Sequence, residues 1–208
     1  MFSFIVKGGP VMLPIILGSI IGLAIVIERF WVFRGMRFNT FDFIQSVFRN
    51  IKEGKIKEAL SICDRFIQHP LGVIFKIGIE RRNLPLERLE KVLEQAGNNQ
   101  VQKLEKYLGA LATIVGIEPL LGFLGTITGL IRAFMSWEQA GANVTVSLLA
   151  AGIYEAMLTT AAGLIVAIPL YLCYNYFISR IKSVSNELSN HCIQLLEIIA
   201  ETKEGKGA

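Results

Sequence analysis

Histidine, cysteine and charge within its apolar stretches are scarce in this chain, and each shortage removes a class of function. Its two histidines, His69 and His191, leave little room for acid–base catalysis. His69 precedes a proline, His191 adjoins Cys192, and neither has partners at metal-ligand spacing. No catalytic residue, metal or cofactor is assigned, and the chain reads as a non-enzyme. The three cysteines, Cys63, Cys173 and Cys192, lack any pairing or metal-type spacing. That argues against a disulfide framework and fits soluble parts facing a reducing cytoplasm. No nucleotide loop, strand alternation or low-complexity linker is visible. No basic segment is interleaved with aromatics, so the net charge of +4 reflects loop orientation rather than nucleic-acid binding.

What the chain does have is apolar residues, 52% of its 208, in long runs that alternate with strongly charged stretches. This pattern predicts an all-α, polytopic membrane protein with three transmembrane helices. The first apolar run extends from about Gly8 to Ile27 and closes with Glu28-Arg29. Only Lys7 precedes it and no small-x-small cleavage site comes before Glu28, so a retained anchor is expected rather than a signal peptide. The second run covers Tyr107 to Phe134, with Glu118-Pro119 inside; the third covers Val144 to Ile178, with Glu155 and Pro169 inside. A helix as long as the third run reaches roughly 50 Å, against a hydrocarbon core of about 30 Å, so it must tilt or project into water.

Basic residues flank the cytoplasmic ends. Arg29, Arg34 and Arg37 follow the first span, Lys103 and Lys106 precede the second, and Arg180 and Lys182 follow the third. The loop around Ser136–Asn143 has neither Lys nor Arg. The positive-inside rule then gives residues 1–34 as a first span with its N-terminus in the periplasm and 35–106 as a cytoplasmic helical region. Residues 107–178 hold spans two and three around a short periplasmic loop, and 179–208 form a cytoplasmic C-terminal helix and tail. In 35–106, Asn39 and Thr40 can cap a helix carrying Phe43, Ile44, Val47, Phe48 and Ile51. Gly54 interrupts the pattern, Ile56–Phe66 resumes it, and His69-Pro70 marks a turn. Leu84-Pro85 opens a charged helix through Leu89, Val92 and Leu93 toward the second span, in a bundle continuous with the membrane helices. The tail keeps an apolar rhythm at Ile181, Val184, Leu188, Ile193 and Leu196.

Glu155 is the only charge between Glu138 and Arg180. An ionisable group at mid-span costs about 2.5–3.5 kcal/mol on insertion scales, so it is expected to face protein, water or an ion path. Thr159 and Thr160 follow within about one turn, and a carboxylate with hydroxyls points to a proton or cation path. In the second span Gly122, Gly125, Thr126, Gly129 and Ala133 share one thin face, which Gly109, Ala112, Thr113 and Gly116 extend toward the cytoplasm with register drifting around Pro119. Gly152, Ala156, Thr160, Gly163 and Ala167 repeat the spacing in the third. Such faces let membrane helices approach closely, and three spans alone make a poor pore, so a homo-oligomer is expected. The plainer readings stand beside these. Small-residue stripes occur at any membrane helix interface, and Thr113, Thr145 and Thr159 can simply bond back to a carbonyl one turn earlier. At 100° per residue Thr160 lies with Gly152 and Ala156, whereas Glu155 lies nearer Thr159, so Glu155 and Thr160 are expected to face different neighbours.

The block LATIVGIEPLLGFLGTITGLIRAF, Leu111 to Phe134, resembles the second span of the MotA/TolQ/ExbB proton-channel family, through Pro119-Leu-Leu-Gly122 and Gly125-Thr126. GIYEAMLTTAAGLIVAIPLYLCYN, Gly152 to Asn175, resembles its third span, and GGPVMLPIILGSIIGLAIVIERF, Gly8 to Phe30, its first. Three spans rather than four place the likeness in the ExbB/TolQ branch. The resemblance implies a homopentamer around two copies of a single-span ExbD/TolR-type partner, embedded in the lipid of a bacterial inner membrane. The partner carries an aspartate past which protons flow, and the work passes to a periplasmic or outer-membrane client. It implies that Thr126 and Thr160 line the passage and that Glu155 falls on the family's intramembrane glutamate, as a proton carrier or a support for assembly. Glu118 departs from the family pattern, where a small or neutral residue is usual. It either lines a cytoplasmic exit or caps a broken helix turn. A passive membrane scaffold in an envelope complex is the alternative function; it explains the small-residue faces but neither Glu155 nor the threonine pair.

Overall fold

The computed structural model describes residues 8–36, 40–140 and 146–204, and side chains within them except at 140, 146–149 and 204. Asn39, Arg37, Lys7 and Thr145 lie outside the described residues. All regular structure described is helical: α1 (Met12–Gly35), α2 (Thr40–Lys52), α3 (Ile56–Arg65), α4 (Pro70–Glu80), α5 (Leu86–Glu105), α6 (Leu108–Ala140) and α7 (Val146–Glu204). Three stretches are long and apolar enough to cross a membrane: α1, the apolar part of α6 and the N-terminal part of α7. The residues form two compact units, one of Met1–Phe30 with Tyr107–Phe177, the other of Trp31–Lys106 with Ile178–Ala208.

Helix ends differ from the sequence expectation in two places, the end of α6 and the join between α5 and α6. The first helix carries Glu28-Arg29 inside it and runs to Gly35. The Arg29 side chain is buried, ion-paired to Glu28, with its guanidinium 5.7 Å from the centre of the Tyr107 ring, so the charge is accommodated without ending the helix. Ser136 to Ala140, expected in a loop, continue α6. The charged helix from Leu86 is not continuous with the second span. Lys106 leaves the helix (φ −49, ψ 132) and Tyr107 takes a left-handed φ of 65, after which Leu111 N–H bonds Tyr107 O at 3.0 Å and α6 begins. A non-glycine residue there costs on the order of 1–2 kcal/mol. Pro119 and Pro169 break neither α6 nor α7. Third-span and tail segments form one helix of 59 residues, about three times the ~20 that a span requires.

In the first unit, α1 turns Met12, Ile15, Gly22 and Arg29 inward at three- and seven-residue intervals, while Leu13, Leu17, Ile20, Leu23 and Ile27 stay exposed. Large apolar residues pointing outward are what lipid as solvent permits. Gly22 rests on the Leu170 side chain, whose tip lies 2.5 Å from a hypothetical Cβ, so any side chain there would make Leu170 shift where α1 lies on α7.

The second unit is an ordinary water-type core. Phe43 meets Phe66 edge-on at 5.2 Å and Phe75 at 5.6 Å, and Phe48 stacks on Phe75 at 5.6 Å. Val47, Cys63, Leu71, Ile74, Leu89 and Leu93 fill the remaining space. The His69-Pro70 turn opens a helix the apolar pattern did not reveal: Leu71 N–H donates to His69 Nδ1 at 3.2 Å, and Pro70 occupies the first turn, where its missing N–H costs nothing. Along α7, Ile181, Val184, Leu188, Leu195 and Ile199 are buried, but Ile193, expected inside, is exposed. Five residues past Leu188 lies about 140° round the helix, so Leu195 rather than Ile193 extends the buried stripe.

Candidate functional site: the α6–α7 seam

Small residues let α6 and α7 approach backbone to backbone. A Cβ on Gly122 would stand 3.0 Å from Thr159 O and Thr160 Cα; one on Gly129, 3.0 Å from Ala156 N and Gly152 O. On Gly163 it would stand 2.5 Å from Glu118 O, and on Gly152, 2.5 Å from Ala133 Cβ. Gly125 faces the buried Thr159 side chain. Any side chain at these positions would hold the helices apart and forfeit dispersion and polar contact together. Gly109 and Gly116, expected to extend this face, have nothing within 4 Å. Gly116 and Gly122 are separated by six residues, about 240° of helix, so the cytoplasmic-side glycines belong to a different face.

Closeness at the seam brings two hydroxyls together. Thr126 Oγ1 and Thr160 Oγ1 share a hydrogen bond, and each also reaches the opposite backbone: Thr126 to Ala156 O at 3.2 Å, Thr160 to Gly122 O at 3.1 Å. Each has a carbonyl on its own helix as well, Gly122 O at 3.3 Å and Ala156 O at 3.3 Å. Two hydroxyl protons are thus offered several acceptors, and both side chains remain half-buried. Thr159 is fully buried, donating to Ala156 O at 2.9 Å, and Thr113 donates back to Gly109 O at 3.0 Å.

Glu155 lies on another side of the same helix and has a partner within the chain. Arg132 Nη1 donates to Glu155 Oε1 at 2.6 Å, with the arginine side chain about half exposed and the glutamate 19% exposed. Gly9, at a φ of +68, covers the pair so closely that a Cβ there would collide with the Glu155 carboxylate. Sequence reading passed over Arg132. The signal was present, because Arg132 is the one Lys or Arg between Lys106 and Arg180. A lone cation and a lone anion in neighbouring apolar runs invite pairing.

Glu118 does not cap a broken turn, since α6 is unbroken at Pro119. Its side chain is buried, 2% exposed, directly over Gly18 of α1. Among the described residues no three His, Cys, Asp or Glu side chains gather as a metal site.

Comparison with known proteins gives this geometry a context. Residues 58–190 match the MotA/TolQ/ExbB proton channel family. An ExbB-like protein of Synechocystis sp. is 31% identical over 175 residues, 83% of this chain and 68% of that one. The Tol-Pal system protein TolQ of Haemophilus influenzae is 31% identical over 116 residues, covering 56% of this chain and 50% of its own length. The biopolymer transport protein ExbB of Salmonella typhimurium is 34% identical over 114 residues, covering 51% and 46%. The chain therefore spans about half the length of these TolQ and ExbB relatives. The family is one of proton channels rather than enzymes, and with this match over most of its length the chain belongs to the MotA/TolQ/ExbB proton channel family, in the ExbB/TolQ branch.

Proposed function

We propose that this chain is the proton-channel subunit of an inner-membrane motor that spends the proton-motive force on a single-span ExbD/TolR-like partner and, through it, on a periplasmic or outer-membrane client. The carrying observation is the Thr126–Thr160 hydroxyl pair, set in an apolar seam where each proton has more than one acceptor. Hydroxyls that can exchange acceptors can hold water beside a partner carboxylate in the passage. The chain works as a homopentamer around two copies of the partner, and the outward Gly109–Gly116 face offers neighbouring copies a close approach that its own helices do not use. Its N-terminus lies in the periplasm, with residues 35–106 and 179–208 in the cytoplasm. Glu155, tied to Arg132, supports assembly of the passage rather than carrying the proton.

A scaffold reading has one observation in its favour: mutual hydroxyl bonding across a seam is also how polar residues fasten membrane helices. Thr126→Ala and Thr160→Ala separate the two. Under the channel reading each variant assembles rings, seen by native mass spectrometry, but loses client-dependent growth, while Thr126→Ser keeps more activity than the alanine. Full activity in both alanine variants returns the scaffold to first place.

A further inference from the structure

Glu118 is a buried carboxylic side chain that the seam does not use. Its carboxyl lies beneath α1 against Gly18, its backbone carbonyl lies against Gly163 of α7, and Oε2 has no hydrogen-bond partner among the described residues. The surroundings supply no counter-charge. Within four positions of the contact there is no other titratable residue on α1 (14–22), α6 (114–122) or α7 (159–167). The next titratable groups along the chain are Glu28 on α1, Tyr107 just before α6, Arg132 on α6, and Glu155 and Tyr171 on α7. Of these, Glu28 is paired with Arg29 and Glu155 with Arg132. Ser19, the nearest hydroxyl on α1, donates its proton to Ile16 O at 2.7 Å. An ionised carboxylate buried without a neighbouring cation is costly, and such groups neutralise instead.

We propose that Glu118 is a second proton-binding site of this chain, separate from the threonine seam, whose occupancy controls how α1 seats on α6. A proton delivered from water forms an O–H bond with the carboxylate and leaves a neutral acid; release to water reverses this with no other bond changed. The neutral acid lies against Gly18 with no unbalanced charge. Loss of the proton leaves an anion enclosed by three helices and favours separation of α1. Glycine at position 18 is part of the site, since a Cβ there would overlap the Glu118 carboxyl.

Isotope-edited infrared difference spectroscopy, on the full chain in lipid nanodiscs with 13C-labelled glutamate, tests this directly. The expected result is a protonated-carboxyl C=O band at neutral pH that survives in Glu155→Gln and is lost in Glu118→Gln. Absence of the band from the unsubstituted protein, or its persistence in Glu118→Gln, overturns the proposal. Should Glu118→Gln fail to fold, the spectra of the unsubstituted protein and of Glu155→Gln decide: a band lost in Glu155→Gln, or absent from both, overturns it. A second readout is the pH dependence of thermal unfolding. The unsubstituted protein should lose Tm as pH is raised, whereas Glu118→Gln, a fixed mimic of the neutral acid, should lose none; equal slopes overturn it. Neither readout requires proton flux, so both stand even if the threonine assignment fails.

Discussion

The hydroxyl pair at the α6–α7 seam permits a worked prediction. Substituting Thr126→Val and Thr160→Val, singly and together, removes each hydroxyl while keeping its volume, so packing changes little. One hydroxyl donates to the other, and the second donates to a carbonyl, either across the seam or one turn back on its own helix. After a single substitution the surviving hydroxyl still finds Gly122 O or Ala156 O, so no buried donor is stranded. Interhelical hydrogen bonds in membrane proteins average about 0.6 kcal/mol and reach ~1.7 kcal/mol. Each single substitution should therefore cost roughly 1 kcal/mol, with a coupling energy between them of about 0.6–1.7 kcal/mol. Reversible unfolding in mixed micelles over the four-membered cycle measures this, alongside proton uptake by proteoliposomes containing the assembled complex. The channel reading expects flux to fall far more than such a stability loss explains. Strict additivity in the cycle, or a single substitution that costs several kcal/mol, would refute the shared hydrogen bond.

Other perturbations test the rest of the site. Arg132→Gln strands the Glu155 carboxylate and Glu155→Gln strands the guanidinium, so each alone should destabilise the seam by roughly 1–3 kcal/mol; both together should cost less than the sum, and additive losses in unfolding would show that the pair is not formed. Gly163→Ala drives a Cβ to 2.5 Å from Glu118 O and should cost about 1–3 kcal/mol by overpacking. Gly116→Ala, with nothing within 4 Å, should leave the isolated chain as stable or slightly more so, and equal effects of the two on unfolding would contradict the seam. His69, pushed down from 6.5 to about 4 by burial, is neutral when folded. Its contribution is complete above pH 6.5 and declines as pH falls toward about 4, by up to ~3 kcal/mol, because the unfolded chain takes up the proton first. Amide exchange at Leu71–Val73 in the full chain should quicken over that window, and His69→Asn should flatten the response.

Much of this protein was legible in order along the chain, because the determining physics is local. The length of each apolar run decides which helices can span a membrane, so three spans could be read without a fold. Small residues at three- and four-residue spacing define a helix face by geometry alone, and the seam glycines Gly122, Gly125, Gly129, Gly152 and Gly163 lie where α6 and α7 meet. Local signals fail where the outcome depends on partners. Glu28-Arg29 closes the apolar run, but the sequence did not show that Arg29 is accommodated by Glu28 and the Tyr107 ring, which lies far along the chain. Gly109 and Gly116 carry the same spacing as the seam yet lie against nothing, and the six-position step from Gly116 to Gly122 rotates Gly116 off it. His69 begins a helix that its proline appeared only to interrupt. The pairing of Arg132 with Glu155, and the burial of Glu118 under Gly18, join helices separated in sequence. Composition could flag those charges as costly in lipid; only the packing of α1, α6 and α7 decided that one finds a counter-ion and the other does not.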